Sequence, residues 1–179
     1  MTSQQEDSSW TYSDSVSQYD ITGTEFLQKD QYRHYDHLVI GVSIFDDADD
    51  SQLLVVQRAA TEDQFPNMFE LPGGHVEPSD KSILCTVVRE TLEETGLRVS
   101  HIASTFEPLE YESKAASGVI RKTLQINFRV LVKDKAIIKL TPNEHQAYRW
   151  ISLQDVGDLI TTDAMRAVIK NAFGQGHTE

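Results

Sequence analysis

The stretch from Gly73 to Leu97, GGHVEPSDKSILCTVVRETLEETGL, constrains the chain more than any other. Two glycines open it, a helical period follows, and Gly96 supplies a left-handed stop. At about 100° per residue, Glu90, Glu93 and Glu94 project at about 0°, 300° and 40°, so all three carboxylates share one helix face. Leu84, Val87, Val88, Thr91, Leu92 and Thr95 fall at roughly 60–200° on the same wheel and mark the face turned away, to a core. Like charges at these spacings cost a bare helix about 0.2–0.5 kcal/mol per pair. A hard divalent cation removes that repulsion, because Mg²⁺ takes carboxylate oxygens, waters and phosphates together. The spacing therefore points to a metal site that draws in an anion. A solvated acidic face is the simpler reading, but it leaves the Gly-Gly bend and the Gly stop unexplained.

Ser79 or Asp80 is the expected cap of this helix. The two glycines let the backbone approach a ligand closely, which makes the Gly74 carbonyl a candidate metal ligand. Arg89 lies one step from the carboxylates, within reach of Glu93 at i+4 or of a carboxylate across the fold.

These residues also resemble the signature of the Nudix hydrolases: a Gly, a spacer, then Arg-Glu-x-x-Glu-Glu-x-Gly and an aliphatic residue. Here the positions are Gly74, Arg89, Glu90, Glu93, Glu94, Gly96 and Leu97. The family carries a Glu with a supporting role in the spacer; this chain has Asp80 there, one residue further from the Arg than the family spacing. The resemblance covers most of residues 36–160 and implies an α/β Nudix fold, a mixed central β-sheet sandwiched between helices. It implies hydrolysis of a diphosphate (pyrophosphate) linkage in a small molecule, of the type nucleoside diphosphate linked to another moiety. Mg²⁺ or Mn²⁺ is the implied cofactor, held by Glu90, Glu93 and Glu94 with Gly74, and supported by Arg89. Within the family the chain looks most similar to fungal small-molecule members, through FPNMFELPGGHVEPSDKSIL and EHQAYRW. The altered Asp80-Lys81 region prompts the alternative, a Nudix fold kept as a ligand-binding or regulatory module or turned to other biosynthetic chemistry.

The rest of the chain supplies strands and further candidates. Residues 1–30 form a polar extension and residues 31–179 a single domain. Trp10, Tyr12, Val16, Tyr19, Ile21, Phe26 and Leu27 are more apolar mass than a free tail needs. Beyond about residue 8 the extension is expected to pack on its own domain or on a second copy, as a homodimer. HLVIGVSIF, residues 37–45, reads as a buried strand, FDDADDS as an acidic turn, and LLVVQR, residues 53–58, as the returning strand. Arg58 emerges at its end as a phosphate clamp or a structural ion pair. Residues 69–71 read as a short strand whose Glu70 is a candidate substrate contact. Strands at 99–109 and 122–132 flank YESKAASGVIR, a candidate lid in which Tyr111 is placed to stack on a base. The last strand is expected at 148–151, preceded by Glu144 as a candidate ligand or base, and a closing helix at 162–173. His34 and His37 read as turn or surface histidines and Cys85 as a packing residue.

Charge decides which partners remain. With 16 basic and 28 acidic residues, a net of −12, the surface repels a nucleic-acid backbone, so long nucleic acid is not the expected partner. A small phosphorylated ligand bridged by metal stays compatible. One cysteine offers no disulfide framework, no apolar run reaches the length of a membrane span, and the start lacks a secretory profile. A cytoplasmic protein without a membrane partner is the expectation.

Overall fold

In the computed structural model, residues 9–46, 50–114, 118–135 and 137–174 are described. The expectations for the first eight residues, the centre of the acidic turn, the tip of the 111–121 loop and the last five residues lie outside that set.

A five-stranded sheet is ordered β1-β6-β7-β2-β5, where β1 is Thr11–Tyr12, β2 His37–Ile44, β5 Gly73–His75, β6 Val99–Lys114 and β7 Ile120–Val132. It is mixed: β2 runs parallel to β7 and β1 to β6, while β6–β7 and β2–β5 are antiparallel. A second sheet, ordered β4-β3-β8, is antiparallel, with β3 Leu53–Arg58, β4 Phe69–Glu70 and β8 His145–Ile151. The helices are α1 Gly23–Leu27, α2 Ile83–Thr95 and α3 Asp163–Gly174.

β2 is apolar almost throughout because both its faces are covered; all but His37 of its residues are buried. β3 shows the two-residue alternation from inside. Leu54 joins the cluster under α2, with Ile83, Leu84 and Val87, whereas Leu53 and Val55 join the cluster under α3, with Val168 and Ile169. The N-terminal segment belongs to the first of these clusters, where Val16 and Phe26 are buried beside β2 and β7. β1 adds a parallel edge to β6. The apolar residues of the extension thus pack onto their own domain.

Several boundaries move. α2 is capped by Ser82, whose hydroxyl accepts from the Cys85 amide, and not by Ser79 or Asp80. Asp80 instead pairs with Arg89. Gly96 ends α2 at φ 71 as expected. Leu92, placed at the margin of the apolar sector, is 40% exposed. β8 starts at His145 rather than Tyr148, which brings a histidine into a strand.

Candidate active site

α2 is positioned by its buried face, and that placement presses Glu90 and Glu94 inward, at 9% and 6% exposure. Glu93, on the outer edge of the same face, is exposed. The Gly73 amide donates to Glu94 Oε2 at 2.7 Å. Glu90 lies against Gly74 so closely that a Cβ there would stand 2.5 Å from Glu90 Oε1. The Pro-Gly-Gly bend and the helix therefore meet backbone to carboxylate.

Arg89 holds the outer side. Its Nε and Nη2 grip Asp80 at 2.9 Å each, Nη1 reaches Glu90 at 2.8 Å and Glu93 at 3.0 Å, and Nη2 also donates to the His75 carbonyl. Asp80 accepts in addition from Thr86 Oγ1 and the Glu77 amide. Hydrogen bonding to Arg89 is the first cause that pulls the Asp80 carboxyl down to about 2.

Inside, the electrostatics reverse. Burial, with Glu93 and Glu144 adding to it, pushes the Glu90 carboxyl up against the pull of Arg89. Burial also pushes Glu94 well above its ordinary value, and the charges of Glu70, Glu90 and Glu144 add to this. Carboxylates kept this close and this dry call for a cation among them.

The second sheet delivers the groups that α2 faces. Arg58 pairs in register with His145, and Val56 with Glu70, so three neighbouring strands bring Arg58, Glu70 and His145 together. Arg58 donates to Glu70, Glu62 and the Gln64 carbonyl. All its nitrogens are thus engaged within the protein. Glu70 accepts from Arg58 at 2.9 Å and meets His145 Nε2 at 3.3 Å. Glu144 is exposed beside Glu94, and Glu94, Glu144 and His145 offer ligand atoms within 4.8 Å of one another. His145 Nδ1 is buried without a hydrogen-bond partner among the described residues. An orphaned nitrogen among carboxylates fits a site built for a divalent metal. Tyr111, 38% exposed on β6 opposite Thr123, lies near enough to feel the charges of Glu70 and Arg58.

Sequence reasoning passes over His145, and also the buried Gln125–Asn127 amide pair that hangs over Gly41 beside the Gly73 strand. The partial alternation of 122–132 sets Gln125 and Asn127 on the face opposite Leu124, Ile126 and Phe128, which local pattern does not mark as buried.

Comparison with known proteins places these features in a family. The model of the NUDIX domain matches residues 36–172. The chain is 34% identical over 106 residues to the asymmetrical bis(5'-nucleosyl)-tetraphosphatase of Mus musculus, covering 59% of this chain and 67% of the relative. It shares its fold with an Ap4A hydrolase binary complex from C. elegans, at TM-score 0.60 and 21% identity over 79% of this chain and 99% of that one. The NUDIX domain of Shewanella oneidensis NrtR, complexed with ADP ribose, gives TM-score 0.62 and 21% identity over 87% and 99%.

Proposed function

Since the chain belongs to the Nudix hydrolase family and is a pyrophosphohydrolase, we propose that Glu90, Glu94 and the Gly74 carbonyl hold Mg²⁺ or Mn²⁺, with Glu93 at the rim. The linkage cut is a diphosphate in a small molecule, a nucleoside diphosphate joined to another moiety. A dinucleoside polyphosphate is the first substrate to test, on the strength of the relatedness to an asymmetrical bis(5'-nucleosyl)-tetraphosphatase. The observation that carries the reading is the buried pair Glu90 and Glu94, packed on the Gly-Gly bend with Glu144 alongside.

When bound, the metal supplies charge neutralisation on the phosphate oxygens and acidifies a water. The residues divide the remaining work. Glu144, exposed and adjacent, accepts the proton of the attacking water. Arg89 restrains Glu90 and Glu93 from one side while Asp80 restrains Arg89, which keeps the carboxylates in place before substrate arrives. Asp80 would thereby take the supporting role that the resemblance gives to a Glu, which supports the hydrolase reading over the inactive module. Arg58 fixes Glu70 rather than reaching outward. Tyr111 presents a partly exposed ring for stacking on a base. A net charge of −12 disfavours the approach of a bare phosphate, and a bridging cation offsets that repulsion.

The test is product release from bis(5'-adenosyl) tetraphosphate, ADP-ribose, a nucleotide sugar and a nucleoside triphosphate, each with Mg²⁺ and with excess chelator. Asymmetric attack by water on the tetraphosphate yields a nucleoside triphosphate and a monophosphate. Glu94→Gln should lose tenfold or more in kcat/KM, at least about 1.4 kcal/mol of barrier. Turnover that persists in chelator, or a parent and variant equally inert on every substrate, sinks the reading.

A further inference from the structure

We propose that His145 gives the metal site a nitrogen ligand through Nδ1, and so tilts it toward borderline first-row cations such as Co²⁺ and Zn²⁺ over Mg²⁺. The inference rests on the reading of the α2 carboxylates as metal ligands and adds to it.

His145 is 3% exposed, and Nδ1 has no hydrogen-bond partner among the described residues. A buried polar atom left so is costly, which is why such atoms are few. In a neutral ring, the partner of the other nitrogen decides which atom carries the hydrogen. Nε2 faces Glu70 Oε1 at 3.3 Å, and Arg58 Nη1 donates to that same oxygen at 2.9 Å. A carboxylate held on an arginine accepts and does not donate, so the imidazole donates from Nε2. In the neutral ring that a metal requires, Nδ1 is then the lone pair, and Glu94 Oε1 lies 3.8 Å from it.

A lone pair beside a carboxylate is stabilised by something positive between them, a proton or a metal ion. Imidazole nitrogen and carboxylate oxygen each bind such ions at about 2.0–2.2 Å. An ion bound at such distances would fit the 3.8 Å gap, with Glu144 inside the same 4.8 Å group. The Arg58–Glu70–His145 chain supplies the outer half of a carboxylate–histidine–metal arrangement, which fixes the ring and raises its donor strength. A set of oxygens alone suits Mg²⁺, and an imidazole shifts the preference toward borderline cations.

The test loads the full chain with Mn²⁺ and reads nitrogen hyperfine coupling by electron spin-echo modulation. A directly bound imidazole gives a coupling that changes when the protein is grown on heavy-nitrogen histidine. In His145→Gln the coupling should vanish, Co²⁺ affinity should fall about tenfold or more, and Mg²⁺ affinity should hold within about threefold. A parent spectrum without histidine coupling overturns the proposal, as an imidazolium clamped between Glu70 and Glu94 would give. Equal weakening of Co²⁺ and Mg²⁺ overturns it too. The spectrum is read on the parent, so it decides the matter even where the variant fails to fold. If Glu94→Gln binds Mg²⁺ as well as the parent, the carboxylate reading itself falls. A parent that binds Mn²⁺ without nitrogen coupling removes only the histidine.

Discussion

Four donors converge on the Asp80 carboxylate: Nε and Nη2 of Arg89, the Thr86 hydroxyl and the Glu77 amide. Asp80 is buried, so the contact is worth more than a surface ion pair. Its carboxyl falls from 3.8 to about 2 in the folded chain, against about 3.9 unfolded. A depressed carboxyl means the unfolded chain binds more protons in this window, so the stability is present above about pH 4 and is lost as pH falls through about 2. Asp80→Asn should therefore cost roughly 1–2 kcal/mol at pH 6 in urea unfolding, a deficit that shrinks from about pH 4 downward. A deficit unchanged at pH 2 would mean the contact is not ionic. Sequence alone makes Asp80 a helix cap because short polar residues favour caps. It gives no sign that an arginine nine positions on claims the side chain first.

At the scale of the element, α2 and the glycine bend form one unit. Periodicity suffices to put Glu90, Glu93 and Glu94 on one face, and it ranks their depth as well, since Glu90 and Glu94 lie nearest the apolar sector and are the buried pair. Gly74 explains how a carboxylate fits there. A methyl group at that position would meet Glu90 Oε1 and Oε2 at 2.5 and 2.7 Å, and the easiest relief is to swing the flexible carboxylate aside. Gly74→Ala is expected to cut kcat/KM at least tenfold, about 1.4 kcal/mol, while leaving the melting temperature nearly unchanged. Activity at the parent level would show that the approach is not needed. Local pattern finds the end of β8, at 148–151, and misses its start at His145. Gln57 pairs with Ala147 and Arg58 with His145, so Gln146 is an extra residue in the ladder. Such a bulge re-aims its neighbour, and here the neighbour is the buried histidine. His145 meets Glu70 across 75 positions of sequence, a proximity that pairing register creates and periodicity cannot express.

Across the whole molecule, the N-terminal segment proves to be structural. Phe26 is 2% exposed, stacks on Tyr32 at 4.2 Å and sits in one cluster with Leu38, Ile40 and the α2 residues behind the carboxylates. Phe26→Ala should cost about 3–5 kcal/mol in urea unfolding. A cost below about 1 kcal/mol would mean the segment merely rests on the surface. The apolar residues scattered through the polar 1–30 segment point to packing, and a handful of aromatic anchors suffices once a sheet is there to receive them. β2 carries a different consequence. Its main partner is β7, alongside three residues of β5, and the β2–β7 ladder joins His37–Ile44 to residues 123–130. A ribosome must therefore release most of the polypeptide before HLVIGVSI finds its long neighbour. For that interval the stickiest stretch of the nascent chain is uncovered, and how well the protein is made depends on what shields it until then.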